Sequence, residues 1–342
     1  MEYFAGLDVS LEEVSICVVD GAGKVVREAR VTSEPETIAR WFSVLGLAMV
    51  RIGLEAGPLS PWLQVELAKR GLPAVCIETR RMRSATMLMA VKTDRVDARV
   101  IAQAMRVGWF TPVHVKSSGS QELRLLLRNR KTVLEQRVAL DNEIRGSLKA
   151  FGIKLGRVSE ARLGEAVVRA IEAKQPELLK MVEPLLKLRL ELRQAYAALH
   201  RQVLTAARAH PICRRLMTVP GVASVVSLTY VTGVDDPTRF QRSAAVAPHF
   251  GLTPRKYASG MIDRNGPISK AGDQMVRQAL YQAAHTLLTR VQRWSSLKAW
   301  GMQVAKRRGL RRATVAVARK LAIILHRMWT RGEAFRWITA ET

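Results

Sequence analysis

A chain of 342 residues with 48% apolar content can hold two or three domains with cores of their own, which excludes a disordered protein. Its 55 basic and 29 acidic residues leave a formal charge of +26, which attracts polyanions and makes nucleic acid the first partner to expect. Scattered cysteines (Cys17, Cys76, Cys213) and unclustered histidines argue against a zinc site or a disulfide framework and fit a reducing cytoplasm. No signal peptide and no spanning apolar run is expected, so no membrane is involved.

Taken in order, Phe4 to Ser10 reads as a strand ending near Asp8, and Val14 to Val19 as a second. The turn Asp20-Gly21-Ala22-Gly23 leads into a third, Val25 to Val31. A helix from Pro35 to Leu45 follows, with Ser33 as its expected cap, then a strand Val50 to Glu55 that ends in a carboxylate. Pro61 to Arg70 reads as a helix closed by Gly71, and Pro73 to Ile77 as a fifth strand. After the basic stretch Arg80, Arg81, Arg83, the apolar spacing of Val91 to Arg106 predicts a helix. It carries Asp94 and Asp97, three apart and therefore on one face. Taken alone, such a pair is more often a solvated face compensated by Arg95 and Arg99.

The order β-β-β-α-β-α-β-α suits a mixed sheet in which a meander is joined to parallel strands by crossover helices. The first strand is then central, with the fourth as its parallel neighbour, so Asp8 and Glu55 sit side by side. The last helix can bring Asp94 and Asp97 over the same place. Four carboxylates gathered there cannot all stay ionised without divalent cations.

Beyond this, Gln121 to Ala150 and Glu177 to Arg208 read as two long amphipathic helices separated by breaks at Gly152 to Gly156 and Lys174-Gln175-Pro176. They form either an antiparallel coiled-coil arm or a plain bundle. Leu216 to Ala223 enters a helix through Pro220-Gly221, similar to one helix-hairpin-helix element, whose turn aims N–H groups at a phosphate. Gly251-Leu252-Thr253-Pro254 to Ile268-Ser269-Lys270-Ala271-Gly272 reads as a glycine-rich basic loop around Ser259-Gly260, with a helix from about Asp273. A Ser-Gly step is most often only a turn, and no histidine lies near enough in sequence to act as its base. Arg255, Lys256, Arg264 and Lys270 are candidates to surround a phosphate there. The C-terminal helix, Leu310 to Trp329, joins an apolar face to a basic rim (Lys306, Arg307, Arg308, Arg311, Arg312).

Three N-terminal stretches and one C-terminal signature carry a resemblance. Gly6-Leu7-Asp8-Val9-Ser10, Glu55-Ala56-Gly57, Lys92 to Ala98 and the Gly-Leu-Thr-Pro…Ser-Gly…Ile-Ser-Lys-Ala-Gly signature resemble the DEDD-type insertion-sequence transposases, the one-ten family that includes Piv/MooV-type invertases. Met261 departs from the polar residue expected after the Ser-Gly step. The resemblance implies an RNase H-like (RuvC-like) domain over 1–115, a helical coiled-coil arm over 116–210 and a mostly helical transposase domain over 211–342. It implies that Asp8, Glu55, Asp94 and Asp97 bind one or two Mg²⁺ ions and that Ser259 is the nucleophile, leaving a phosphoserine link to DNA. It further implies donor and target double-stranded DNA, a guide ("bridge") RNA, a homo-oligomer from dimer to tetramer and a cytoplasmic, nucleoid-associated protein. Asp97 is the one of the four that helix rotation can place behind the metal rather than on it. Two other readings remain open: a metal-dependent nuclease or junction resolvase using water, and a nucleic-acid-binding protein without catalysis.

Overall fold

The computed structural model describes residues 1–79, 82, 93–259 and 262–337. Arg80, Arg81, Arg83, Val91, Lys92, Gly260 and Met261, named above, lie outside the described residues. The chain divides into two compact units, Met1–Lys116 and Ser117–Thr342.

The first unit is built on five strands: β1 (Tyr3–Val9), β2 (Glu13–Asp20), β3 (Val25–Thr32), β4 (Met49–Glu55) and β5 (Ala74–Ile77). Their order in the sheet is β3-β2-β1-β4-β5. The pairs β1–β2 and β2–β3 are antiparallel, while β1–β4 and β4–β5 are parallel. The central position of β1 and its parallel neighbour are those expected from the order of elements. Alternation of side chains then divides the sheet. Leu7, Ile16, Ile52 and Leu54 pack on one face with Ile38 and Phe42 of α1 (Pro35–Leu45) and Leu63 and Leu67 of α2 (Ser60–Lys69). Phe4, Cys17 and Val19 pack on the other with Ala98, Ile101, Ala102 and Met105 of α3 (Asp94–Val107). Ser33 does not cap α1 as expected. Its hydroxyl donates to the Ser10 carbonyl (2.9 Å), and Glu34 takes the capping position with no side-chain bond. The serine is held by the neighbouring β1–β2 connection, to which its own N–H also donates (Glu12 O, 2.9 Å).

The second unit is helical. Its long helices α4 (Ser118–Ser147) and α6 (Leu179–Ala209) pack along each other. Arg130 meets Tyr196 and His200, whereas Arg189 meets Asp141 further along, so the two run antiparallel. Between them lies a helix the sequence reading passes over as loop, α5 (Leu163–Glu172). Leu163, Val167 and Ile171 recur one turn apart and bury with Ile144, Leu148 and Val182 in a core of their own. The other ends of α4 and α6 supply Leu127, Val203 and Ala207 to the larger core. That core is made with α7 (Pro211–Leu216), α8 (Ser224–Val234), α9 (Gln274–Thr289), α10 (Ser296–Arg308) and α11 (Leu310–Arg331). Tyr230 is wholly buried there and donates to the Ala322 carbonyl at 2.6 Å. The segment expected to be a loop around Ser259 is instead a β-hairpin, β6 (Pro254–Ser259) and β7 (Ile262–Ile268). The successive residues Lys256, Tyr257 and Ala258 find ladder partners in Asn265, Arg264 and Asp263, which glycine content alone does not reveal. Among the described residues no helix is long and apolar enough to cross a membrane.

Candidate active site

Two glycines set the acidic end of the first unit. A Cβ on Gly6 would overlap the backbone of Ala98 and Ala102, and one on Gly53 would press Ile101 and Met105 at 2.8 Å. Both glycines therefore face α3, which lies directly on the sheet. By alternation Asp8 and Glu55, two residues further on, face the same side. The parallel register Gly6↔Gly53 and Leu7↔Leu54 carries on to set Asp8 beside Glu55. Gly23, in the β2–β3 turn at the Tyr3 end of β1, lies against Gln103 and Arg106, so α3 runs back along the sheet and its first turn reaches the Asp8 end. Asp94 and Asp97 are in that first turn, capped by Thr93, whose hydroxyl accepts from the Val96 N–H at 3.3 Å.

Register extends the row. Asp8 pairs with Ser15, and Ser15 with Arg30, so Arg30, Ser15, Asp8 and Glu55 cross the sheet on the α3 face. Arg30 bonds Asp94 at 3.5 Å and Glu13 at 2.8 Å. Together with Thr93, Glu28 and Arg95, Ser15, Arg30 and Asp94 line a cavity of about 500 Å³. One row back, Glu28 receives Arg95 and, at 3.0 Å, Arg99. The bond from Arg95 holds its carboxyl below the usual carboxylate range, against an opposing effect of burial. Burial, helped by the Glu28 charge, pushes the Cys17 thiol up to about 11, so it is an unreactive core group. Arg30, Ser15 and the Glu28 network were missed in the sequence, because register counted from the Asp20–Gly23 turn sets Ala29, not Arg30, opposite Ser15 until the bulge between Val18 and Val19 is included.

Asp94 and Asp97 differ. Asp94 is exposed and shares Arg30, while Asp97 is half-buried and its Oδ1 is buried without a hydrogen-bond partner among the described residues. A carboxylate oxygen enclosed in that way is costly unless a cation meets it. The donors at this end are all carboxylate oxygens, the type that hard divalent cations take. Among the described residues, though, no three acidic, His or Cys side chains are drawn together closely enough to enclose an ion. The acids thus share one end of one face, with Asp94 turned toward Arg30 instead of the shared centre.

In the second unit, Ser259 ends an exposed strand and pairs with Ile262 across the hairpin. The pairing Tyr257↔Arg264 puts Arg264 on the Ser259 face, 5.8 Å from the Tyr257 ring. Lys256 points the other way and bonds Asp263 at 3.1 Å. Arg255 donates to the Ser269 carbonyl at 3.4 Å. Lys270 belongs to the hairpin's base. There Gly251 (φ +66°) and Gly272 (φ +67°) let two backbones touch, since a Cβ on either would overlap Ala271 or His249. Arg277 fastens the same base by donating to the carbonyls of Ala271 (2.6 Å) and Phe250 (3.1 Å). Asp273 caps α9 and pairs with Arg124 in a largely buried contact. So Gly251 and Gly272 act at the base, and Arg264 shares the face of Ser259. Gly221 lies in the α7–α8 turn at φ +86°, where a Cβ would overlap the Ala283 carbonyl of α9. Packing on α9 accounts for that glycine.

An acidic end on a mixed sheet, together with a basic helical unit, describes a protein that works on nucleic acid. Comparison with known proteins is specific about the kind. Residues 5–153 match a transposase family of the DEDD, IS110 type, and residues 213–300 match the transposase IS116/IS110/IS902 family. The transposase for insertion sequence element IS1111A of Coxiella burnetii is 30% identical over 339 residues, covering 97% of this chain and 90% of that protein. A probable family 20 transposase of Pseudomonas aeruginosa is 29% identical, covering 72% of this chain and 74% of its own length. The transposase for IS1328 of Yersinia enterocolitica is 28% identical over 71% of this chain and 73% of its own. The chain belongs to the IS110/IS116 family of transposases, and its activity is DNA transposition.

Proposed function

We propose that this transposase cuts and rejoins DNA through a covalent phosphoserine intermediate at Ser259, served by Mg²⁺ held at Asp8, Glu55, Asp94 and Asp97. The observation that carries the reading is the register that sets Asp8 beside Glu55 on the α3 face, together with the Asp97 Oδ1 of α3, buried without a hydrogen-bond partner among the described residues. The strand order β3-β2-β1-β4-β5, with acids ending two adjacent parallel strands, supports assigning the first unit to the RNase H-like (RuvC-like) fold. One or two bound Mg²⁺ ions supply Lewis-acid polarisation of phosphate oxygens and offset the charge of the gathered acids.

The protein's own groups do the rest. The Ser259 Oγ forms a bond to phosphorus as the phosphodiester bond to one deoxyribose oxygen breaks. The serine proton leaves to a base, and the departing sugar oxygen takes up a proton. The phosphoryl group stays ester-linked, so a DNA hydroxyl can reverse the step and rejoin a new end. Arg264, on the Ser259 face, orients the phosphate and offsets its charge. Full exposure of β6 suits a nucleophile that meets a large substrate. Arg255, Lys256, Lys270 and the Gly221 turn contribute further backbone contacts. A guide RNA that pairs with donor and target DNA supplies sequence choice, and the +26 charge is suited to carrying both nucleic acids. The helices α4 and α6 serve as the arm for assembly into a dimer or tetramer.

The test is to trap the adduct. Denatured reactions of the transposase with labelled element ends, Mg²⁺ and the element's non-coding RNA should contain a protein–DNA species. It should vanish in Ser259→Ala and on chelation. Cleavage that proceeds normally in Ser259→Ala without any adduct assigns the attack to water and overturns the reading.

A further inference from the structure

Between Gln274 and Gly332 the chain has no Asp or Glu, and thirteen Lys or Arg, half of the formal charge of +26. These residues form α9, α10 and α11, three helices of the second unit. In the long helices α4 and α6, by contrast, five cations are paired with acids: Arg124–Asp273, Lys131–Glu135, Arg137–Glu160, Lys187–Glu183 and Arg189–Asp141. The C-terminal helices lack this compensation, and the excess is greatest where α10 gives way to α11. Residues 306–312 are all exposed and comprise Lys306, Arg307, Arg308, Gly309, Leu310, Arg311 and Arg312. Among the described residues none of these five cations has an ion pair or a hydrogen bond from its side chain.

The arrangement is unfavourable for the free protein. Five like charges within seven residues repel one another. Arg311 and Arg312 also begin α11, which has no acid in its first turn, so the helix's own partial positive charge opposes them. The junction is nevertheless well anchored from behind. Gly301 lets α10 lie close on Leu288 and Val317, and Ala313, Val317 and Leu321 are buried in the main core. The cations are therefore held outward on a rigid support, and what they lack is an anion.

The chemistry of the patch selects the form of that anion. From Gly301 to Met328 there is no Phe, Tyr or Trp. Single-strand binders stack bases on aromatic rings, which this surface does not offer. It offers only charge to phosphates, the sequence-independent contact that positions a protein on a duplex. We infer that Lys306, Arg307, Arg308, Arg311 and Arg312 form an anchoring surface for the backbone of the transposase's duplex DNA substrate. The inference rests on the DNA transposase activity and is independent of the assignment of Ser259.

The experiment measures binding of an arbitrary-sequence DNA duplex to the full chain by fluorescence anisotropy over a range of salt. In the variant with all five cations changed to Gln, the slope of log affinity against log salt should be shallower by about 4, and affinity at low salt about 100-fold weaker or more. The two part-variants, Lys306/Arg307/Arg308→Gln and Arg311/Arg312→Gln, should each show part of that loss with an unchanged circular dichroism spectrum. They keep the test decisive if the fivefold variant misfolds. Changing five exposed cations near the α4–α6 connection (Lys149, Lys154, Arg157, Arg162, Lys180) to Gln should alter the slope by less than about 1. Equal losses in the two fivefold variants, or a loss confined to an RNA hairpin or a single strand, would overturn the inference. At low salt and saturating DNA the patch variant should still form any Ser259 adduct. Failure of the adduct in both parent and variant would count against the Ser259 reading alone.

Discussion

The acidic end of the sheet and the Ser259 hairpin are built in opposite ways. Asp8 and Glu55 lie at the ends of strands in which the preceding Leu7 and Leu54 are fully buried, and α3 lies so close to the sheet that only glycine fits at positions 6 and 53. In β6 every residue is exposed. A lone two-stranded hairpin is marginally stable in water, and among the described residues this one is fastened at its base by Gly251, Gly272, Arg277 and the packing of Ile268. The contrast teaches a division of labour. Acids that gather charge need a rigid frame to oppose their repulsion, whereas a nucleophile offered to a large duplex needs reach.

If that division is right, Ser259→Ala should have the largest effect on reaction and none on stability. Strand cleavage should fall on the order of 10³-fold or more while the thermal midpoint stays within a degree of the parent. A comparable loss of stability would show that the hairpin belongs to the core. Asp97→Asn should also abolish cleavage, but should leave the metal-free fold unchanged or more stable by about 1 kcal/mol, because it removes an enclosed charge with no partner. Calorimetry should show at the same time that Mg²⁺ no longer raises its melting temperature. A less stable Asp97→Asn protein that still responds to Mg²⁺ would break the assignment.

Gly6→Val tests the frame. Overlap with the Ala98 carbonyl should cost about 3 kcal/mol or more in urea unfolding, and should reduce cleavage through displaced acids. The smallest effect is expected at Glu28. Its carboxyl is held below the ordinary 4.5 by Arg95, so the contribution is complete above that pH and is lost as pH falls through the lowered folded-state value. Urea titrations should show that Glu28→Gln is slightly less stable at neutral pH and has a flatter decline below pH 4.5.

Much of the first unit was legible because its signals are local. The short strand-like run Phe4 to Val9, turn residues at Asp20 to Gly23 and the apolar spacing of α3 each act within a few residues, and the parallel placement of β4 follows from crossover rules. The hairpin was less legible. Its strands are mostly polar and their few apolar residues do not alternate, and Gly251 and Gly272, which suggest a loop, do their work at its base. Helix α5 was missed for another reason: flanking glycines and a proline drew the reading toward a break, although Leu163, Val167 and Ile171 carried helical spacing.

By itself, then, the sequence determined the basic partner surface, the mixed sheet with Asp8 and Glu55 on adjacent strands, and the presence of Asp94 and Asp97 on one helix. Only the tertiary structure decided how the acids are surrounded. A one-residue shift in the β2–β3 pairing between Val18 and Val19 puts Arg30, rather than Ala29, opposite Ser15. Side chains alternate along a strand, so that shift turns Arg30 onto the α3 face, where it takes Asp94. The bulge depends on how two strands twist against a packed helix, and no residue in either strand announces it.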